Sequence, residues 1–174
     1  RVNLHLHKTN IATAGFEFEN ETLFQRFTSA FGDPPGTKDR QRTFAIFGQD
    51  QIILDDGRLQ ISLGARQQFF RIRAADRPGS LAAINADSSL TGDGAVAYFF
   101  NSTGTKIRAH VGNGFRAASL FERCGEGVFE NVETRFGDPT LKPELSIAAD
   151  GGVDQRLVND KLLFGLTYFY TRLQ

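Results

Sequence analysis

The stretch ELSIAADGGVDQRLVNDKLLFGLTYFYTR, residues 144–172, decides the fold class. Apolar side chains alternate with polar or small ones in two runs, on either side of a short segment at Val158-Asn159-Asp160. A period of two is typical of β-strands, because successive side chains point to opposite faces of a sheet. Two such runs joined by a short turn predict an antiparallel hairpin.

The same pattern recurs three more times along the chain. The predicted strand pairs are RVNLHLHK with IATAGFEFE, RTFAIFGQDQII with LQISLGAR, and LTGDGAVAYFF with TKIRAHVG. Short turns such as LDDGR and NSTG join the members of a pair, whereas the pairs are separated by long segments at about 20–40, 67–88 and 113–143. All five prolines lie in these segments, as uninterrupted strand ladders require. The sequence therefore predicts eight strands in four hairpins.

Composition excludes several functional classes. Twenty basic and 20 acidic residues give a formal net charge of zero, so we expect no nucleic-acid partner. Cys124 is the only cysteine, which excludes a disulfide framework and a cysteine zinc site within the chain. No Ser-His-Asp set or paired-acid motif stands out. We therefore expect no enzyme, no catalytic residue and no cofactor.

Long loops at every second connection are typical of outer-membrane barrels, which have short turns on one side and long loops on the other. A soluble β-sandwich stays open as the alternative, because alternation alone does not say whether the apolar face meets lipid or a second sheet. Aromatic residues near the predicted strand ends favour the membrane barrel, since such barrels carry an aromatic girdle at each interface. These residues are Phe16, Phe18, Tyr98, Phe100, Tyr168 and Tyr170.

The barrel hypothesis assigns a face to each alternating side chain. We expect the apolar set to face lipid: Leu59, Ile61, Leu63, Ile107, Val111, Ile147, Phe164, Leu166 and Tyr168. We expect the polar set to face the lumen: Gln60, Arg66, Lys106, Arg108, Asp150, Asp154 and Thr167. The faces of RTFAIFGQDQII are not assigned, because its alternation is less regular.

Three motifs carry a resemblance to a known family: GNGFRAASL at 112–120, GDPTLKPE at 137–144, and TYF at 167–169 in the closing hairpin. With them, the chain resembles the β-barrel of TonB-dependent outer-membrane receptors, in particular the cobalamin and siderophore type. The resemblance implies an all-β, antiparallel transmembrane barrel in the bacterial outer membrane. Residues 1–174 would be a partial barrel of about eight strands out of about 22. A plug domain of about 100–150 residues and the C-terminal strands would lie outside it.

The resemblance also implies a function. The complete receptor would bind a scarce large ligand, iron–siderophore or cobalamin, and take it up with energy from the TonB system acting through the absent plug. Its partners would be the TonB system, the small-molecule ligand and the lipid bilayer. The alternative function, which goes with the β-sandwich, is a soluble ligand-binding module of the carbohydrate-binding type.

Two sets of site residues follow from the resemblance. Phe115, Arg116 and Phe121 are expected to face the ligand or the plug, with packing of the loop as the alternative. The second set forms the junction where a long loop re-enters the barrel, and a merely rigid junction is its alternative. It consists of Gly137, Asp138, Pro139, Leu141, Lys142, Pro143 and Glu144.

Other candidate sites are weaker. GNGFRA fits a dinucleotide-binding fingerprint, with Glu133 about twenty residues on, but the strand before it alternates instead of being continuously apolar. His5 and His7 are expected to line the lumen, because no carboxylate or cysteine nearby completes a metal set. Asp33, Asp39 and Asp76 fall in predicted loops without calcium-loop spacing. We therefore expect no metal site.

Overall fold

The chain forms one large antiparallel sheet. The structure, a computed structural model, describes residues 1–28, 32, 36–74, 86–130, 132–159 and 161–174, apart from the side chains of residues 5, 6, 86, 132 and 133. The sheet has eight strands in the order β1-β2-β3-β4-β5-β6-β9-β10. They are β1 (Val2–His7), β2 (Asn10–Gln25), β3 (Thr37–Leu54), β4 (Leu59–Arg73), β5 (Ala86–Phe100), β6 (Thr105–Arg116), β9 (Glu144–Leu157) and β10 (Leu162–Leu173).

The connection between β6 and β9 carries structure of its own. It contains a short helix, α1 (Leu120–Cys124), and a two-stranded hairpin of β7 (Glu126–Phe129) and β8 (Val132–Arg135). Each strand of the large sheet pairs antiparallel with its neighbours, and so the predicted eight strands in four hairpins are confirmed. None of the described helices is long and apolar enough to cross a membrane.

The short turns lie where the sequence predicts them. A one-turn 3-10 helix at Asp55–Gly57 joins β3 to β4, and residues 101–104 join β5 to β6. In the last turn Val158 and Asn159 both have positive φ, as a tight hairpin turn requires; Asp160 of that predicted turn lies outside the described residues.

The strands are longer, and the loops shorter, than predicted. β2 runs to Gln25 and β3 begins at Thr37, so the first loop is not 20–40; likewise β4 runs to Arg73 and β5 begins at Ala86. The missed segments mix polar and apolar residues on each face and therefore lack the alternation that marks a half-buried strand. Because a barrel strand needs only about 9–11 residues to cross a bilayer, the 18 residues of β3 extend well beyond it.

Strand register divides the side chains into two faces, because directly opposite residues point the same way. On one face, the apolar face, Leu59 stands opposite Tyr98, which stands opposite Ile107, Val153 and Leu166 in turn. On the other, the polar face, Lys106 stands opposite Asp154. All nine residues predicted for lipid share the apolar face, and all seven predicted for the lumen share the polar face.

Register also assigns β3, whose faces the sequence left open. Phe44, Ile46 and Ile52 lie on the apolar face, opposite Phe69, Gln67 and Ile61 of β4. Gly48 and Asp50 share that face, whereas the odd-numbered residues of β3, which include Thr43 and Ala45, lie on the polar face.

The apolar face is bare. Phe16 is 71% exposed and Tyr168 is 76% exposed, and among the described residues no second sheet covers them. The sandwich alternative is therefore wrong, since a sandwich buries its apolar face against a second sheet. The small buried core lies instead on the polar face, where Leu120 and Cys124 of α1 pack with Ile72 of β4.

The predicted aromatic residues occupy the apolar face, but not all of them are near strand ends. Tyr98 and Phe100 lie beside the short turn after β5, with ring centroids 4.7 Å apart. Phe16 and Phe18 lie in the middle of β2, because that strand continues for seven residues past Phe18. They lie at the edge of the apolar band of β2, and the strand continues beyond them to Gln25.

Candidate functional site on the polar face

The centre of the polar face is a charge network around Arg108 of β6. Its guanidinium donates to Asp154 of β9, Nε to Oδ2 at 3.2 Å, and to Thr167 Oγ1 of β10 at 2.6 Å. Asp150 Oδ1 lies 3.9 Å from its Nη1. Planar guanidinium groups suit this role, because they offer five donors in a fixed geometry. One side chain thus connects three neighbouring strands.

A glycine makes room for this arginine. Gly152 stands directly opposite Arg108 in the register, and a Cβ built there would lie 3.1 Å from Arg108 Cζ and 2.8 Å from the carbonyl oxygen of Leu166. The guanidinium therefore lies across the β9 backbone at a place where any larger residue would displace it.

His110 continues the network. Its Nδ1 lies 3.0 Å from Asp150 Oδ2, so this histidine has a carboxylate partner that sequence spacing did not reveal. A cavity of about 250 Å³ on this side is bordered by Lys106, Arg108, His110 and Asp150 from β6 and β9 and by Gln60 of β4. A polar molecule that enters the lumen would meet positive and negative side chains there.

The α1 helix begins with a capping box. The Ser119 backbone N–H donates to Glu122 Oε2 at 2.7 Å, and the Glu122 N–H donates to Ser119 Oγ at 3.2 Å. These bonds satisfy N–H groups that a helix start leaves without partners. The Ser119 N–H and then the Arg116 guanidinium hold the pKa of the Glu122 carboxyl below its usual range.

The helix is held against the polar face at the loop end of the sheet. Gln25 of β2 donates from Nε2 to the carbonyl oxygen of Cys124 at 3.1 Å and accepts from the Glu126 N–H at 2.9 Å, and Gln25 and Glu126 are both buried. We call residues 117–143 the cap. Gln25 was not predicted as a site residue, because it lies in a segment whose sequence predicts a loop.

The predicted junction closes the cap. Gly137 packs so tightly on the end of α1 that an added Cβ would lie 2.5 Å from the Gly125 nitrogen, and its N–H donates to the Gly125 carbonyl oxygen at 2.8 Å. The Asp138 N–H donates to the Glu122 carbonyl oxygen at 2.9 Å, and its carboxylate accepts from Thr140. These bonds from Thr140, side chain first, hold the pKa of Asp138 below its usual range.

The rest of the junction leads into β9. Pro139, Leu141, Lys142 and Pro143 follow without strand structure, and Glu144 is the first residue of β9. Glu144 stands opposite Arg116 in the register.

The three residues predicted to face the ligand or the plug are placed differently from one another. Phe115 stacks on Phe70 of β4, with ring centroids 5.1 Å apart. Arg116 bridges α1 and β9, with its Nη2 3.1 Å from Glu122 Oε1 and its Nε 3.0 Å from Glu144 Oε2. Phe121, on the outer side of α1, is 58% exposed.

The other sequence candidates do not form sites. GNGFRA ends a strand that pairs antiparallel on both sides, which is not the parallel context of a dinucleotide fingerprint. The register of β1 shifts between His5 and His7, so simple alternation does not place them on one face. Asp39 lies in β3 and is buried on the polar face, not in a loop, while Asp33 and Asp76 lie outside the described residues. The described residues contain no cluster of three or more potential metal ligands.

Comparison with known proteins agrees with this geometry. A profile described as "TonB dependent receptor-like, beta-barrel" matches residues 2–174. The chain belongs to this receptor family. Barrels of TonB-dependent receptors lie in the bacterial outer membrane, and the apolar face of this receptor segment is therefore its lipid-facing surface. The family consists of receptors for transport, which is consistent with the expectation that the chain is not an enzyme.

A solved structure has the same fold. The copper transporter OprC superposes with a TM-score of 0.77 at 15% sequence identity, and the match covers 97% of this chain. The chain spans 28% of the length of that protein. No curated protein sequence gives a significant match.

Proposed function

We propose that the chain is part of the barrel of an outer-membrane receptor that takes up a scarce large ligand, an iron–siderophore complex or cobalamin, in a TonB-dependent manner. The family match supports the mode of transport. The observation that carries the proposal is the cap, because the third loop folds onto the polar face and its exposed groups stand at the loop end of the lumen.

The shape of the cap suits capture of a large ligand. Its inner side is anchored by Leu120 and Gln25, whereas Phe121 turns an exposed ring away from that anchor. Exposed aromatic rings on a rigid support provide contact area at a low cost in conformational entropy. We propose that Phe121 contacts the ligand or the plug, and that Phe115 and Arg116 hold the surface that presents it.

We further propose that the plug, with the TonB-contacting segment, and the remaining barrel strands are supplied by chain beyond residues 1–174. The share of OprC that the match covers agrees with a segment of a larger barrel. In that arrangement β1 and β10 pair with strands outside this segment, which removes two exposed sheet edges.

Uptake by cells that express the complete receptor tests the transport proposal. Cyanocobalamin, a ferric hydroxamate siderophore, a ferric catecholate siderophore and copper(II) are supplied in turn, with and without a functional TonB system. We expect TonB-dependent uptake of one of the first three. Uptake of copper(II) alone, or uptake that is equal without the TonB system, contradicts the proposal.

Phe121→Ala tests the binding surface in the same cells. We expect weaker ligand binding with unchanged receptor abundance, whereas Phe129→Ala, which removes an equally exposed ring from β7, serves as the matched control. Equal binding by the two variants would remove Phe121 from the site and leave it as a surface residue of the loop.

A further inference from the structure

Four arginines lie together on the apolar face, on the side opposite the lumen. Arg42 of β3 stands directly opposite Arg71 of β4, and Arg40 stands directly opposite Arg73. All four side chains are exposed and together line a cavity of about 110 Å³. We call Arg40, Arg42, Arg71 and Arg73 the arginine cluster.

Within the part of the chain that the structure describes, the four positive charges of the cluster repel one another. Like charges directly opposite each other across a strand pair destabilise a sheet. Among the described residues, those opposite the cluster on the neighbouring strands are uncharged: Asn20 and Thr22 on β2 and Ala86 on β5. The acidic residues of β2 do not help, because Glu17, Glu19 and Glu21 lie on the polar face. An anion bound from outside would neutralise the repulsion.

The position of the cluster relative to the membrane identifies the kind of anion. On the apolar face of β3, the interval from Leu54 beside the turn to Phe44 is ten residue steps. It also contains Asp50, whose carboxylate accepts from Asn10 Nδ2 at 3.1 Å. The interval is about 33 Å of strand, and a strand tilted by about 40° rises about 25 Å over it, which is the height of the lipid-facing band in such barrels. Arg42 and Arg71 begin one side-chain repeat further on, about 7 Å along the strands.

A second cavity connects the cluster to the band. It has a volume of about 520 Å³ and is lined by Arg42 and Arg71 at one side and by the rings of Phe18, Phe44 and Phe69 at the other. Phe44 and Phe69 stack with ring centroids 6.4 Å apart. Asp87 also borders this cavity, but it lies opposite Phe70 on the polar side of the register and accepts the Ser88 N–H.

We propose that the arginine cluster and the adjoining aromatic cavity bind a phosphorylated lipid of the leaflet on the loop side, with the phosphate between the arginines and an acyl chain along Phe44 and Phe69. Guanidinium groups bind phosphate through paired hydrogen bonds. A free phosphate would use the cluster alone, whereas a lipid uses both cavities. The lipid would hold the receptor at a fixed depth in the membrane.

The complete receptor in lipid nanodiscs tests the proposal. Phosphatidic acid, which joins a phosphate monoester to acyl chains, is compared at equal mole fraction with diacylglycerol, both in phosphatidylcholine; inorganic phosphate is a separate competitor. The variant is Arg42→Gln/Arg71→Gln. Its control, Lys8→Gln/Arg58→Gln, removes the same charge at the turn end of the sheet.

We expect the wild type and the control to retain phosphatidic acid over diacylglycerol, and the cluster variant to bind it roughly thirtyfold more weakly, since each basic residue near an anionic lipid surface contributes about 1 kcal/mol. Equal retention by the cluster variant and the wild type overturns the proposal. Inorganic phosphate that displaces the lipid at equal concentration also overturns it, because the site would then be one for free phosphate.

Thermal stability measured with and without phosphatidic acid distinguishes a loss of lipid binding from a general loss of stability. In uncharged detergent the cluster variant should be at least as stable as the wild type, because it lacks the opposed charges. With phosphatidic acid present, the wild type should become the more stable of the two. A variant that is less stable by the same amount in both media contradicts the proposal, since the arginines would then stabilise the sheet without a lipid.

Discussion

Arg108 shows how single residues organise the polar face. It binds carboxylate and hydroxyl groups on two strands that lie on the same side of β6, and Gly152 leaves the space that its guanidinium occupies. The sequence predicted that Arg108, Asp154 and Thr167 face the lumen, because alternation fixes the face. It did not predict that they bind one another, because their pairing depends on strand register across 46 and 59 residues of separation.

Gly152→Ala tests the space beside Arg108. The new methyl group would crowd the Leu166 carbonyl oxygen, so we expect a loss of about 1–3 kcal/mol in the free energy of unfolding, the usual cost of overpacking. Gly151→Ala is the matched control, because the nearest atom to a Cβ there is 3.8 Å away. Urea unfolding of the complete receptor in lipid vesicles measures both. A Gly152→Ala receptor as stable as the control would show that Arg108 does not need this gap.

The cap should open in acid because of Glu122. Its pKa is lower in the folded cap than in an unfolded chain, through the Ser119 N–H first and Arg116 second. The carboxylate therefore stabilises the cap above the ordinary glutamate pKa of about 4.3, and this contribution is lost as pH falls below that value.

The buried Cys124 thiol reports on this opening. The thiol is modified with 4,4′-dithiodipyridine, and its rate is divided by that of a small free thiol at the same pH. This corrected rate should rise several-fold as the pH falls from about 6 to about 3.5. Glu122→Gln should raise the rate at pH 6, and Glu130→Gln, in the same loop, should not. A rate independent of pH in the wild type would contradict the role of Glu122.

For the strands, the alternation of residues predicted correctly which face each side chain occupies, but it did not predict how long the strands are. The loop-end segments of β2 to β5 are ladder-paired, but polar and apolar residues are mixed on each face there, so the sequence pattern does not mark them as strands. Arg40, Arg71 and Arg73 lie in these segments, and so the sequence did not predict that the four arginines meet. The cap helix was missed for a different reason, because five residues are too few to show helical periodicity.

The face assignment has a direct test in two neighbouring residues of β4. Leu63 is 53% exposed on the apolar face, and Ser62 lies on the polar face. Leu63→Arg should destabilise the complete barrel in lipid by roughly 2–4 kcal/mol, and Ser62→Arg should have little effect. Urea titration in vesicles measures the difference, and equal stability of the two variants would reverse the assignment.

For the molecule as a whole, the sequence predicted eight strands in four hairpins, because each short turn connects two neighbours, and the structure shows how the hairpins lie side by side in one sheet. A soluble sandwich was not excluded by pattern; the bare apolar face of a single sheet excludes it. The lining of the lumen and the inward position of the cap required the three-dimensional structure, since Gln25 and Cys124 are 99 residues apart.

We expect the eight strands to cross the outer membrane with all long loops outside the cell. Cysteine labelling of intact cells that express the complete receptor, in a Cys124→Ala background, tests it with a membrane-impermeant maleimide. Thr28→Cys and Phe129→Cys, both exposed in loops, should be labelled on intact cells, whereas Asp56→Cys and Thr103→Cys, in the short turns, should be labelled only after permeabilisation. Labelling of the turns but not of the loops on intact cells would contradict the account.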